Sequence, residues 1–200
     1  MHTITALVFD DFETLDLFGP VEMFGSLPEH YRIQFASMAG GVIHSKHGVA
    51  MQTTATAALA YETDIVLVPG GFGTRQLVYD LSFLQTLTIL ADQADWVLSV
   101  CTGSALLAKS GVLDGKQATS NKLAWQWVVS QSNQVDWVKQ ARWVVDGKFY
   151  TSSGVSAGMD MALGFIADRH GVDTAHQVAQ HTEFRWQKIV ILMTSTVLNP

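Results

Sequence analysis

The side chain best suited to covalent chemistry stands alone in this sequence. Cys101 is the one cysteine in 200 residues, so it closes no intramolecular disulfide and supplies no multi-cysteine zinc site. It is either a small buried hydrophobe or a reagent. It ends the apolar run Trp96-Val97-Leu98-Ser99-Val100 and precedes the small residues Thr102-Gly103-Ser104-Ala105, which lead into a helical stretch. A side chain at such a junction sits at the carboxyl end of a buried strand, where open α/β sheets bind ligands, and close to helix N–H groups that favour a thiolate. The same geometry makes the nucleophile elbow of hydrolases, although no glycine stands two residues before this cysteine.

Two other segments carry candidate partners. Asp64 to Thr74 reads as a strand running into Pro69-Gly70-Gly71-Phe72-Gly73, a turn whose glycines let backbone N–H groups approach a ligand or a developing oxyanion. No Gly-Lys-Ser/Thr follows and the third fingerprint glycine is missing, so this is neither a phosphate loop nor a dinucleotide motif. Phe9 to Phe24 is crowded with carboxylates. Asp10, Asp11 and Glu13 read as a solvated loop, whereas Leu15, Leu17 and Phe18 draw Asp16 toward the interior. A buried carboxyl beside a thiol stays protonated at neutral pH and serves as an acid; the competing reading is a helix cap near Gly19-Pro20. The histidines offer less. His44 and His47 fall in a polar stretch, His2 and His30 lie near turns, and His176 and His181 are five apart on one helical segment and do not share a face. No metal-ligand spacing is present, and no cofactor motif calls for a bound group.

These side chains need a frame to hold them. Apolar runs at Ile4 to Phe9, Tyr31 to Ala36, Ile65 to Val68 and Trp96 to Val100 predict strands. Leu81, Leu84, Leu87 and Leu90 mark one helix face, and Val155, Met159, Leu163 and Ile166 another. Strands alternating with amphipathic helices imply a parallel sheet covered on both faces. Arg142 to Ser152 breaks the pattern with a hairpin turning on Asp146-Gly147, so the sheet is expected to be mixed at one edge. There is no internal repeat, no low-complexity tract and no linker-like stretch, which predicts one domain over residues 1–200. The run Ile189 to Leu198 is an apolar tail that must pack on the body or on a second subunit.

Composition narrows the partners. Hydrophobic residues make up 48% and charged residues 15%, which excludes disorder for most of the length. A net charge of −6 without a basic stripe argues against nucleic acid, and the tryptophans at 125, 127, 137, 143 and 186 read as core and interface packing. No apolar run approaches the roughly 20 residues needed to span a bilayer, and the N-terminus lacks an export signal. The expectation is a cytoplasmic protein acting on a small-molecule substrate.

Taken in order, Asp16-Leu17-Phe18-Gly19-Pro20, Val68 to Gly73, Val100-Cys101-Thr102-Gly103-Ser104, Gly111 to Lys116 and Ser153 to Asp160 resemble the signature stretches of the ThiJ/PfpI superfamily. The resemblance covers nearly the whole chain and implies a flavodoxin-like three-layer α/β/α sandwich related to class I glutamine amidotransferases, with its nucleophile at a strand-to-helix turn. It also implies a homodimer. Asp16-Leu17-Phe18-Gly19-Pro20 with Val100-Cys101-Thr102-Gly103 looks most like the isonitrile hydratase branch. That pattern assigns Cys101 as nucleophile, Asp16 as the acid that contacts it and Thr102 as a neighbouring polar contact; the glycine turn adds Gly70 and Gly71, with Thr102, as expected oxyanion and substrate contacts. The protease, deglycase and stress-response members usually carry His where this chain has Thr102, which argues against a Cys-His dyad. Ala118-Thr119-Ser120-Asn121-Lys122 departs where many relatives, isonitrile hydratases included, have Thr-Thr-His, and Asn121 cannot act as a base.

The implied reaction is addition of water to an isonitrile to give an N-substituted formamide. Protonated Asp16 delivers a proton to the carbenoid carbon as Cys101 attacks, and water opens the resulting thioimidate with Asp16 returning as base. Two alternatives share the fold. One is a carbonyl enzyme in which Cys101 forms a hemithioacetal with a substrate such as methylglyoxal. The other is a free-standing ligand or redox sensor, as in the amidase-like domains of AraC-type regulators; those carry a DNA-binding extension of roughly a hundred residues, and a length of 200 weakens the expectation of regulation through DNA.

Overall fold

Four-residue apolar runs such as Ile65-Val66-Leu67-Val68 have no polar face, so they are stable only inside a sheet packed on both sides. The computed structural model, which describes residues 1–187, builds that sheet. The chain runs through β1 (His2–Leu7), α1 (Thr14–Gly25), β2 (Tyr31–Ser37), β3 (Gly41–His44), β4 (Ala50–Ala55) and β5 (Ile65–Val68). It continues through α2 (Thr74–Leu77), α3 (Leu81–Gln93), β6 (Trp96–Val100), α4 (Gly103–Lys109), β7 (Gln117–Ala118) and α5 (Trp125–Val129). Then follow β8 (Asp136–Trp137), β9 (Trp143–Asp146), β10 (Phe149–Ser152), α6 (Ala157–His170) and α7 (Val172–His181). The apolar tail Ile189 to Leu198 lies outside the described residues.

The main sheet has the order β3-β4-β2-β1-β5-β6-β10-β9, and β7 and β8 pair separately. Every pairing from β4 to β10 is parallel, with Ile4 opposite Ile65 and Leu67 opposite Leu98. The hairpin on Asp146-Gly147 forms as expected, with β9 antiparallel to β10. The opposite edge is antiparallel as well, because β3 folds back on β4. The sheet is thus mixed at both edges, not one. Gly41-Val42-Ile43-His44 and Ala50-Met51-Gln52-Thr53 are short and largely exposed, so they lack the apolar run that identifies the central strands.

Helices cover both faces. α1, α6 and α7 pack on one another, and α2, α3 and α4 form a second group. Phe165 of α6 meets Phe24 of α1, Trp96 of β6 and Tyr150 of β10 at ring separations of 5.8, 5.5 and 5.1 Å, all edge to face. Two predicted helix faces shift at their first residue. Leu81 is 74% exposed at the start of α3, and Val155 precedes α6 in a left-handed conformation. Both sit where the first turn has not yet brought side chains over the sheet. From β1 the chain winds outward to β2, whereas β5, β6 and β10 advance the other way. Strand order therefore reverses between β1 and β5, the position where α/β sheets open a crevice at their carboxyl ends.

Candidate active site

Cys101 follows β6 with φ of +57°, a left-handed conformation that costs a non-glycine residue about 1–3 kcal/mol. Its peptide is held from several sides. The Cys101 N–H donates to the Ser152 carbonyl at 3.1 Å, and its own carbonyl accepts from Ser104 Oγ at 3.1 Å and Ser120 Oγ at 2.8 Å. These bonds tie the turn to β10, α4 and the β7 segment, and they aim the side chain out of the sheet end. The strand-to-helix turn expected from the local sequence is therefore present.

Asp16 lies in the first turn of α1 and is fully buried. Its Oδ1 accepts from the Val155 N–H at 2.9 Å and its Oδ2 from the Gly70 N–H at 3.1 Å, and its carboxyl is hydrogen-bonded to the Cys101 thiol. Burial raises its pKa to about 7, against the lowering effect of those donors. The Cys101 thiol is pushed well above its ordinary value, first by burial and then by the neighbouring Asp16 charge. The Thr102 N–H and Asn121 act in the opposite direction but do not prevail. The thiolate expected from the helix N–H groups is thus disfavoured: desolvation and an adjacent carboxylate outweigh a helix of one to two turns. The groups hydrogen-bonded to this thiol among the described residues are Asp16, Thr102 and Asn121, none of them a histidine.

Close packing leaves no room for side chains between these groups. A Cβ on Gly154, where φ is +126°, would stand 2.9 Å from Cys101 Cβ and 3.1 Å from Asn121 Nδ2. A Cβ on Gly70 would stand 2.9 Å from Asp16 Oδ2. The amides of the glycine turn already have acceptors: that of Gly70 donates to Asp16, and that of Gly71 to Thr102 Oγ1 at 3.0 Å. Thr102 Oγ1 also accepts from Thr74 Oγ1 at 3.1 Å and lies 3.3 Å from the Gly71 carbonyl. Its hydroxyl is occupied in clamping the two turns together. Asn121 Oδ1 accepts from the Ala124 N–H at 3.0 Å, an orientation that turns the amide nitrogen toward the sulfur. The sequence had marked Asn121 only as lacking a base, and its amide donor role depends on that fixed rotamer.

A cavity of about 340 Å³ opens over Cys101, Thr102, Gly71 and Asn121, within the size range of small-molecule sites. Its outer wall carries Phe72, Leu123, Val155, Glu13, Lys46 and Arg75. Glu13 was read as part of a solvated loop, yet its side chain is only 18% exposed and pairs with Lys46 at 3.3 Å. Lys46 arrives on the β3–β4 hairpin, which the sequence did not reveal. Arg75 stacks on Trp127, 3.5 Å from the ring centroid. Among the described residues, no group of three or more His, Cys, Asp or Glu side chains is placed to share a metal ion, and no helix is long and apolar enough to cross a membrane.

Comparison with known proteins places this geometry. The chain is 34% identical over 178 residues to an isonitrile hydratase of Pseudomonas putida, covering 89% of this chain and 76% of that enzyme. It is 29% identical over 188 residues to the HTH-type transcriptional regulator GbdR of Pseudomonas aeruginosa, covering 90% of this chain and half of the regulator. A crystal structure of a ThiJ/PfpI family protein from Pseudomonas syringae superposes with a TM-score of 0.80 at 28% identity, over 93% of this chain and 76% of that one. The model of the DJ-1/PfpI family matches residues 2–168, a span that holds Asp16, the glycine turn, Cys101, Asn121 and Gly154. The chain belongs to the DJ-1/PfpI family.

Proposed function

We propose that the protein hydrates isonitriles, converting R–N≡C and water to an N-substituted formamide. The observation that carries this reading is the buried Asp16 carboxyl, pushed up to about 7 and hydrogen-bonded to a thiol that, among the described residues, has no histidine partner. A carbenoid carbon needs a proton and a nucleophile at the same atom, and this pair offers both. In the first step Asp16 gives its proton to the terminal carbon, Cys101 Sγ bonds to that carbon, and the thiol proton passes to the carboxylate left behind. The product is a thioimidate, with the carbon–nitrogen triple bond reduced in order to a double bond. Water then adds across that bond, its oxygen to carbon and a proton through Asp16 to nitrogen. The carbon–sulfur bond breaks, the hydroxyl proton returns to sulfur, and the formamide leaves.

The remaining roles follow from where donors point. The Thr102 N–H and the Asn121 amide face the sulfur and the atoms bonded to it, so they stabilise charge there. Gly70 and Gly71 act through Asp16 and Thr102, holding each in place. The 34% identity to the Pseudomonas putida enzyme supports the substrate class.

The test is incubation of wild type, Cys101→Ala and Asp16→Asn with alkyl and aryl isonitriles, following formamide by proton NMR. Wild type forms formamide, Cys101→Ala forms none, and Asp16→Asn is slower by about 10²–10⁴-fold. Turnover undiminished in either variant overturns the mechanism. Saturable binding without product in folded wild type moves the reading to a ligand sensor, the role suggested by the regulator that shares this domain.

A further inference from the structure

Two cations line the cavity, and their surroundings differ. Lys46 Nζ lies 3.3 Å from Glu13 Oε2, so that charge is matched within the protein. Arg75 lies flat on Trp127 and, among the described residues, its guanidinium has neither a carboxylate partner nor a hydrogen-bond acceptor. Stacking occupies a face of the guanidinium and fixes its plane, which leaves the in-plane N–H donors presented as a rigid fork. Such a fork matches a planar carboxylate with two parallel hydrogen bonds. Arg75 and Cys101 line the same cavity, and a thiolate at Cys101 would favour the charged guanidinium, so a group held at Arg75 shares the cavity with the reacting sulfur. Phe72 and Val155 line the same cavity and offer apolar contact to a hydrocarbon spacer.

We propose that Arg75 is a specificity residue that binds a substrate carboxylate, so that the isonitrile hydrated here carries an anionic R group. This rests on the hydratase reading for the reacting group, and on the unmatched Arg75 for the anion. The carboxylate occupies the fork over Trp127 while the isonitrile carbon points inward to Cys101. Glu13 opposes it little, because Lys46 Nζ lies 3.3 Å from its carboxylate.

The experiment has two arms. The first compares kcat/KM for an ω-isocyano carboxylate with that for its methyl ester, in wild type, Arg75→Gln and Arg75→Lys. Wild type favours the carboxylate by about tenfold or more, as expected for a charge-assisted bidentate contact. Arg75→Gln brings the ratio close to one, and Arg75→Lys, which keeps the charge and loses the fork, falls between. The second arm needs no turnover: alkylation of Cys101, the sole cysteine, by iodoacetate and by iodoacetamide, followed by mass spectrometry. The iodoacetate-to-iodoacetamide rate ratio in wild type exceeds that of free cysteine and drops in Arg75→Gln, with folding checked by circular dichroism. Equal efficiency toward acid and ester, or an alkylation ratio that Arg75→Gln leaves unchanged, overturns the carboxylate site even if hydration is observed. A ratio that depends on Arg75 with no formamide from any isonitrile keeps the carboxylate site and removes the hydratase reading.

Discussion

The Asp16–Cys101 pair owes its protonation state to burial more than to any neighbouring charge. Both groups lose water, and for an acid and a thiol alike this favours the neutral form. Since Asp16 titrates at about 7, its acid form is present below that pH and disappears above it. We therefore expect kcat/KM for isonitrile hydration to fall as pH rises through about 7 with the loss of one proton. A flat profile from pH 6 to 9 would mean that Asp16 is not the acid. The stability sign follows from the same shift. A carboxyl raised from 3.8 to about 7 binds its proton more tightly folded than unfolded, so it favours the native state below pH 4 and that contribution is lost between 4 and 7. The denaturation midpoint of Asp16→Asn should accordingly rise relative to wild type as pH goes from 4 to 7. Gly154 sets the spacing around the thiol: Gly154→Ala puts a methyl against Cys101 and Asn121 at a positive φ. Turnover in that variant should drop by about a hundredfold, the usual cost of displacing a reacting group by roughly an ångström. Asp16 was legible because Leu15, Leu17 and Phe18 surround it with apolar neighbours. The state of Cys101 was not, because the burial that raises it, and the Asp16 carboxylate that adds to it, come from distant parts of the chain.

At the scale of elements, the site is an assembly of strand ends and helix starts. α1 delivers Asp16, the β5–α2 turn delivers Gly70 and Gly71, the β6–α4 turn delivers Cys101 and Thr102, and the β10–α6 turn delivers Val155. The longer of the two helices between β5 and β6, α3, is capped by Asp80, whose carboxylate accepts from the Phe83 N–H at 3.0 Å. Asp80→Ala should cost about 1 kcal/mol in urea denaturation, the usual value of such a cap, and leave formamide production unchanged. The strands with continuous apolar runs were readable, as was the hairpin at Asp146-Gly147. The β3–β4 hairpin was not, since a largely exposed edge is held by ladder hydrogen bonds and by contacts such as Ser37 Oγ to Thr53 Oγ1 at 2.7 Å, neither of which leaves a hydrophobic period. Its effect reaches the cavity, because it brings Lys46 against Glu13 at the wall.

For the molecule as a whole, the aromatic junction around Phe165 joins the helices that carry Asp16 and follow Val155 to the strand that carries Cys101. Phe165→Ala should therefore remove about 3–5 kcal/mol of stability, within the range for emptying a buried aromatic site. It should also raise KM or lower kcat before the protein unfolds, because α1 and α6 set the Asp16–Val155 bond. Activity that persists unchanged up to the thermal midpoint would show that the site is independent of this junction.

Local patterning determined much of this protein. Apolar runs, helical spacing and a turn of small residues after Val100 are sufficient for a mostly parallel sheet with a cysteine at a strand-to-helix junction, since burial of apolar surface has few other solutions. What required the folded chain was everything that depends on distance between remote segments. The hydrogen bonds that bring Gly70 and Val155 to one carboxylate, the rotamer that turns Asn121 toward the sulfur, and the stacking of Arg75 on Trp127 each join parts of the chain apart in sequence. Desolvation, which sets the charge of Asp16 and Cys101, is a property of the whole surrounding volume, and no window of residues carries it.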